Sequence, residues 1–108
     1  MEGDLYDTSK LIEMYKKGGA VHGYTTILNL IEFPKAINLN LTIIFPSKFD
    51  YNLALKISTE LLRRGNPIPA TDLIIAAVAL NDGLRLVTKD KHFLLVKEVE
   101  NDFKVLVD

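Results

Sequence analysis

The chain of 108 residues contains no cysteine, which excludes disulfide bonds and thiolate metal ligands. It has only two histidines, so a zinc site built from nitrogen and sulfur ligands is a poor candidate. Its net charge is −1, whereas a protein that binds nucleic acid by bulk charge is strongly basic. Any contact with nucleic acid is therefore expected to be local, and the lack of cysteine suits a reducing cytoplasm.

Sequence signals for a membrane span or a secretory leader are also missing. The longest apolar run, Leu73–Leu80, is far shorter than the roughly 20 residues that cross a bilayer. The opening segment MEGDLYD has neither the basic start nor the apolar centre of a signal peptide. Apolar residues make up 48% of the chain, which is enough for a hydrophobic core. We therefore expect one cytoplasmic domain that spans residues 1–108.

Helical and strand-like stretches alternate along the chain, which predicts a layered α/β domain with a mostly parallel sheet. Strands are expected at 4–7, near residue 24, and at 41–45, 84–88 and 103–107. Helices are expected at 9–17, 26–36, 50–64, 71–81 and 92–99. Pro34 should kink or end the second helix early, and Asp50 is the expected cap of the third. The 41–45 strand should be buried, whereas Asp4 is unusual in a central parallel strand.

Four acidic residues stand out by their positions. Asp7 and Asp90 each follow a predicted strand, so both are expected in the crevice beyond the carboxyl ends of the sheet. Asp72 begins the apolar fourth helix, and Glu32 lies within the second helix on the same face as Asn29. If these acids converge, their charges repel and raise one another's pKa values. Mg²⁺ or Mn²⁺, which prefer oxygen ligands, would relieve that repulsion.

Each acid also has a purely structural interpretation. Asp7 could cap the first helix, Asp72 could complement the dipole of its helix, and Asp90 could be a turn residue. Glu32 is the hardest to explain in this way, because a carboxylate in an apolar helix is costly unless it is paired or binds a cation. A structural ion pair is the remaining alternative for Glu32.

Three segments of the sequence resemble the motifs of the PIN-domain family, and in particular of its VapC-like toxins. DTSKLIEMY at 7–15 resembles the first motif, and GYTTILNLIEFPKA at 23–36 looks like the second. IPATDLIIAAVALNDGLRLVTKDKHF at 68–93 is similar to the long C-terminal signature. Together these segments cover nearly the whole chain in the family's order.

The resemblance implies a three-layer α/β/α PIN-like fold and a Mg²⁺- or Mn²⁺-dependent endoribonuclease. It implies that the metal-binding and catalytic residues are Asp7, Glu32, Asp72 and Asp90. The side chains expected to support these acids are Thr8, Ser9, Asn29 and Thr88. The side chains that could contact RNA are Lys10, Lys89, Lys91 and His92. The family's toxins pair with a small antitoxin protein and commonly form homodimers, so both are expected partners.

The sequence departs from the family pattern in two places. Many relatives have a further acid where this chain has His92, which puts full occupancy of a second metal site in question. The interval between Glu32 and Asp72 is short, with room for one strand and one long helix, and in relatives this segment often forms a dimer clamp. These departures favour one alternative, a non-catalytic PIN-like module that binds RNA or protein. A receiver-like or phosphatase domain is less favoured, because no acid pair follows the first strand.

Overall fold

Parallel strands form the central sheet of the protein, which a computed structural model describes for residues 2–18 and 22–108. The strands are β1 (Asp4–Tyr6), β2 (Tyr24–Thr26), β3 (Thr42–Ile44), β4 (Arg85–Thr88) and β5 (Lys104–Val107). Their order in the sheet is β3-β2-β1-β4-β5, and each neighbouring pair is parallel. The chain therefore moves outward from β1 to β3 and then returns to the other side of β1. This reversal lies between β1 and β4, where open α/β sheets usually bind ligands.

Helices cover both faces of this sheet. The helices are α1 (Thr8–Lys17), α2 (Ile27–Glu32), a 3₁₀ helix (Pro34–Leu39), α3 (Lys48–Arg63), α4 (Ala70–Asp82), a 3₁₀ turn (Lys91–Phe93) and α5 (Leu94–Val99). One hydrophobic cluster joins Leu5 of the sheet to α3, α4 and α5. A second cluster joins Tyr6 to α1, α2 and the longer 3₁₀ helix. Because successive strand residues point to opposite faces, the clusters lie on opposite sides of the sheet. The predicted three-layer α/β/α architecture with a parallel sheet is confirmed.

The starts and ends of two helices follow from local hydrogen bonding. The predicted early end of the second helix at Pro34 is confirmed, because α2 stops at Glu32 and Pro34 begins a 3₁₀ helix. The predicted cap of the third helix is wrong. Ser47 is the N-cap of α3, and Asp50 lies inside the first turn, where its carboxylate accepts from the Ser47 N–H at 2.7 Å. Asp50 thus completes a reciprocal capping box.

Two expectations about the strands are resolved by the order of the sheet. The 41–45 segment was expected to be a buried strand, but β3 lies at the sheet edge and Phe45 beyond it is 68% exposed. β3 has a neighbouring strand on one side only, so its residues stay exposed or partly exposed although two of them are isoleucines. Asp4 is accommodated in β1 because the Arg85 guanidinium on β4 donates to both of its carboxylate oxygens, at 2.9 and 3.0 Å. Across the described residues, every helix is too short or too polar to cross a bilayer.

Candidate active site

The fold brings residues from four separate elements to the carboxyl ends of β1 and β4. Asp7 directly follows β1 and is the N-cap of α1. Asp90 lies two residues beyond β4 and caps the 3₁₀ turn there. Glu32 is the last residue of α2, and Asp72 lies in the first turn of α4. The two strands are neighbours and parallel, so the acids that follow them lie at the same edge of the sheet.

Asp7 is buried, and hydroxyl groups hold both of its carboxylate oxygens. The Ser9 hydroxyl donates to Oδ1 at 2.6 Å, and the Thr88 hydroxyl donates to Oδ2 at 2.6 Å. Ser9 in turn accepts from the backbone N–H of Lys89 at 3.1 Å, and Thr88 accepts from that of Asp90 at 3.0 Å. Oδ1 of Asp7 also accepts from the backbone N–H of Lys10 at 3.4 Å, so Asp7 caps α1 as its structural interpretation expected. The hydroxyl contacts also fix Asp7 against the loop that follows β4.

Glu32 lies in a different environment from the one its sequence context suggested. The expectation of a carboxylate enclosed within an apolar helix is wrong, because α2 ends at Glu32 and the residue is exposed. Its Oε1 accepts from the Thr8 hydroxyl at 2.6 Å, and Thr8 accepts from the Asn29 side-chain amide at 3.1 Å. Asn29 is fully buried and also completes a capping box with Thr26. Thr8 and Asn29 thus orient the exposed acid toward the first turn of α1.

His92 links the other two acids. Its Nε2 lies 3.0 Å from Oδ2 of Asp72, and its Nδ1 lies 2.6 Å from Oδ1 of Asp90. The backbone N–H of His92 also donates to Oδ1 of Asp90 at 3.1 Å. The imidazole ring stacks on the buried Phe93 ring, with a centroid separation of 4.8 Å and an interplanar angle of 30°. Asp72, His92 and Asp90 therefore form one continuous hydrogen-bonded group.

The electrostatics of Asp72 relate it to two of the other acids, Asp90 and Glu32. Burial is the largest cause that raises the pKa of the Asp72 carboxyl above its ordinary value. The contact with His92 lowers that pKa, whereas the negative charges of Asp90 and Glu32 raise it further. Glu32 and Asp72 therefore lie close enough for one charge to act on the other. The negative charges of Asp90 and Glu32 would also favour a cation near Asp72.

The chemistry of these donors fits a hard divalent ion, but their present contacts do not form a cage. Within residues 2–18 and 22–108, no three histidine, aspartate or glutamate side chains are arranged to hold a metal ion. The carboxylates instead accept from hydroxyl groups and from the imidazole of His92. Carboxylate and hydroxyl oxygens are the ligands that Mg²⁺ and Mn²⁺ prefer. The residues that would hold such an ion are Asp7, Glu32, Asp72 and Asp90, after exchange of some of these contacts.

The lysines near the site differ in their availability to a ligand. Lys10 is 5% exposed, and its ammonium donates to Glu13 at 2.8 Å and to Asp108 at 2.6 Å. These hydrogen bonds raise the pKa of Lys10, with the Asp108 contact foremost. Lys10 is therefore engaged in structural ion pairs, and its contact with RNA stays a prediction that would require exchange of these contacts. Lys89 and Lys91 are both exposed, although Lys89 also pairs with Glu13.

The acidic partners of these lysines, Glu13 and Asp108, were not predicted from the sequence. Glu13 follows Lys10 by three residues, a spacing that places two side chains on one helical face and could have indicated the pair. Nothing in the sequence pattern indicates Asp108, which reaches Lys10 because β5 ends beside α1. The hydrogen bond from Lys10, followed by that from Lys89, lowers the pKa of Glu13 to about 2.

The same fold occurs in solved structures of toxin–antitoxin complexes. A chain of the DNA-bound VapBC complex from Salmonella typhimurium is 19% identical, with 98% of each chain covered and a TM-score of 0.78. A chain of VapBC-1 from nontypeable Haemophilus influenzae is 18% identical, with 98% of this chain and 97% of that chain covered and a TM-score of 0.76. A chain of FitAcB from Neisseria gonorrhoeae is 17% identical, with 95% and 96% covered and a TM-score of 0.68.

No protein-family model and no curated protein sequence matches the chain, so the likeness is one of three-dimensional structure. That structure is the PIN-like α/β/α fold with a parallel sheet. The resemblance of the sequence motifs to PIN-domain, VapC-like proteins is thus confirmed at the level of the fold.

Proposed function

We propose that this chain is a metal-dependent endoribonuclease, the toxin of a VapBC-type toxin–antitoxin pair that acts in the cytoplasm. The observation that carries the proposal is the gathering of four acids at the reversal point of a PIN-like sheet. These acids come from four separate elements, and the charges of two of them raise the pKa of Asp72. Such a concentration of negative charge in one crevice is typical of a divalent-cation site.

The roles of the side chains follow from their exposure and contacts. A Mg²⁺ or Mn²⁺ ion held there would lower the pKa of a bound water and offset the negative charge of the transition state. Asp7 is buried and immobilised by two hydroxyls, so it provides the fixed side of the site. Asp72 contributes its carboxylate from the first turn of α4, and Asp90 contributes its carboxylate from the loop after β4.

Proton transfer is assigned to an exposed acid. Glu32 is exposed and held by a hydrogen bond from Thr8, so it is placed to orient or deprotonate the attacking water. Asp90 is the other candidate for this role, because its carboxylate is also partly exposed. The mechanism needs no covalent intermediate, and the expected products carry a 3′-hydroxyl and a 5′-phosphate.

RNA must approach an acidic crevice, so nearby cations are needed to hold its phosphates. Lys91 and Lys89 extend from the loop that carries Asp90, and both are exposed to solvent. His92 lies on the same loop and forms part of the rim of the crevice. Because the whole chain carries a net charge of −1, these few local cations carry the proposed phosphate contact.

The test compares RNA cleavage by the parent protein, Asp72→Asn and Asp102→Asn. Asp102 is an exposed residue in the turn before β5, so it provides the same chemical change outside the site. With RNA and Mg²⁺ or Mn²⁺, we expect Asp72→Asn to lose about a hundredfold or more in rate, as is typical when a group that stabilises the transition state is removed. Asp102→Asn should cleave as the parent does. Equal cleavage by all three proteins would indicate a contaminating nuclease and refute the proposal.

A second candidate function is a non-catalytic PIN-like module that binds RNA or protein. One observation favours it: the carboxylates are already bonded to hydroxyls and an imidazole, and the described residues contain no three-ligand metal cluster. Calorimetric titration with Mn²⁺ separates the two functions. Absence of metal binding at millimolar Mn²⁺ would favour the binding module over the nuclease.

The proposed partners are a small antitoxin and a second copy of the chain. Helix α3 exposes three large apolar side chains on one face, which are Tyr51, Leu55 and Leu62, while the exposed Phe49 lies on another side of the helix. Apolar side chains gathered on one exposed helix are typical of a protein interface. We assign this face of α3 to the homodimer, which sedimentation of the purified chain tests. A monomer in the parent, or a dimer unaffected by Leu55→Glu, would contradict the assignment.

A further inference from the structure

The His92 imidazole occupies the space between two of the proposed metal ligands. Its two ring nitrogens lie 3.0 Å from Oδ2 of Asp72 and 2.6 Å from Oδ1 of Asp90. The ring is held on its face by the buried Phe93 ring. Two further restraints come from the main chain, because the His92 N–H donates to Asp90 and the Asp90 N–H donates to Thr88. The ring position is therefore defined by packing as well as by hydrogen bonds.

The His92 ring uses carboxylate oxygens that a divalent ion would also use. Each ring nitrogen lies within hydrogen-bond distance of one oxygen, Nε2 beside Asp72 and Nδ1 beside Asp90. The imidazole therefore bridges the two acids as a shared cation would. A metal ion that used the same two oxygens would first have to displace the imidazole.

We propose that His92 is a built-in competitor of the divalent cation, so that Asp72 and Asp90 bind either the imidazole or the metal. This inference rests on the proposed function, because it takes the two acids to be metal ligands. His92 then sets how tightly the metal is held and lowers its affinity relative to an open site. If His92 were itself a metal ligand, removal of its ring would weaken metal binding instead of strengthening it.

The experiment measures Mn²⁺ binding by electron paramagnetic resonance at one fixed pH, with no RNA present. The proteins are the parent, His92→Ala, His92→Phe and Lys16→Ala. His92→Phe keeps a ring beside Phe93 but removes both nitrogens. Lys16→Ala removes an exposed cation at the end of α1, outside the proposed site, and so controls for a general change in charge. Circular dichroism checks that each variant is folded.

We expect both His92 variants to bind Mn²⁺ about tenfold more tightly than the parent, which corresponds to about 1.4 kcal/mol. Lys16→Ala should bind as the parent does. Unchanged or weaker binding by folded His92 variants overturns the inference, and weaker binding identifies the imidazole as a ligand. Equal tightening by Lys16→Ala also overturns it, because the effect is then one of net charge. If no protein in the set binds Mn²⁺, the proposed metal-dependent function fails together with this inference. If all of them bind Mn²⁺ and the His92 variants bind no more tightly, the inference alone fails.

Discussion

The Thr88 hydroxyl is the part of the site whose contribution to stability can be worked out most directly. Thr88 is fully buried, and its hydroxyl donates to Oδ2 of Asp7 at 2.6 Å. The same oxygen accepts from the backbone N–H of Asp90 at 3.0 Å. Thr88→Val replaces the hydroxyl with a methyl group of similar size, so it removes both hydrogen bonds without opening a large cavity.

The expected cost is set by the carboxylate that loses its donor. Asp7 is buried, so its Oδ2 cannot exchange the lost hydroxyl freely for water. A hydrogen bond to a charged group contributes about 1.5–3 kcal/mol, and an abandoned buried partner loses that contribution. The Asp90 N–H also loses its acceptor, but that hydrogen bond is only partly buried and joins neutral groups, so its contribution is the smaller of the two. We therefore expect Thr88→Val to lower the free energy of unfolding by about 2 kcal/mol.

Urea unfolding followed by circular dichroism measures this loss. For an m-value of about 2 kcal/mol/M, the midpoint should fall by about 1 M while the m-value stays constant. The matched control is Thr59→Val, because the Thr59 hydroxyl donates to the Leu55 carbonyl on the exposed surface of α3. That variant should stay within about 0.5 kcal/mol of the parent. A Thr88→Val midpoint no lower than the Thr59→Val midpoint would refute the reasoning.

Two further predictions concern regions outside the acids. Hydrogen bonds from two lysines, Lys10 foremost, lower the pKa of Glu13 from 4.5 to about 2. A lowered carboxyl pKa stabilises the fold above pH 4.5 and ceases to do so as the pH falls through about 2, so the difference in urea midpoint between the parent and Glu13→Gln should close across that window. A difference that persists below it would contradict the assignment. Gly23→Ala should lower the melting temperature more than Gly65→Ala does. Both glycines have positive φ, but only at Gly23 would the new Cβ lie 2.8 Å from a backbone oxygen of β1, whereas at Gly65 nothing lies within 4 Å.

The architecture could be predicted because the signals that determine it are local in the sequence. The alternation of apolar strand-like and helical stretches gave all the strands to within a few residues. Asp7 and Asp90 could be placed together because each follows a strand, and the carboxyl ends of neighbouring parallel strands share one edge. Thr88 was expected to support the acids, and its hydrogen bond to Asp7 shows how a strand-end hydroxyl can do so.

The details that could not be predicted depend on contacts between distant residues. Lys10 is next to the site in sequence, but its ammonium is held by Asp108, which is 98 positions away. The bridge from His92 to Asp72 joins residues 20 positions apart and depends on how α4 packs beside β4. The environment of Glu32 was misjudged because the exact end of α2 decides whether its last side chain is enclosed or exposed. Helix ends and side-chain directions of this kind are set by tertiary packing rather than by periodicity.

The position of β4 beside β1 also determines when the acidic crevice can first exist during protein synthesis. Asp7 precedes Asp90 in the sequence, so it leaves the ribosome well before Asp90 does. A parallel partner for β1 from residues 85–88 must therefore wait for that late segment to dock. A nascent chain that ends before residue 85 lacks both β4 and Asp90, so its acidic crevice is incomplete.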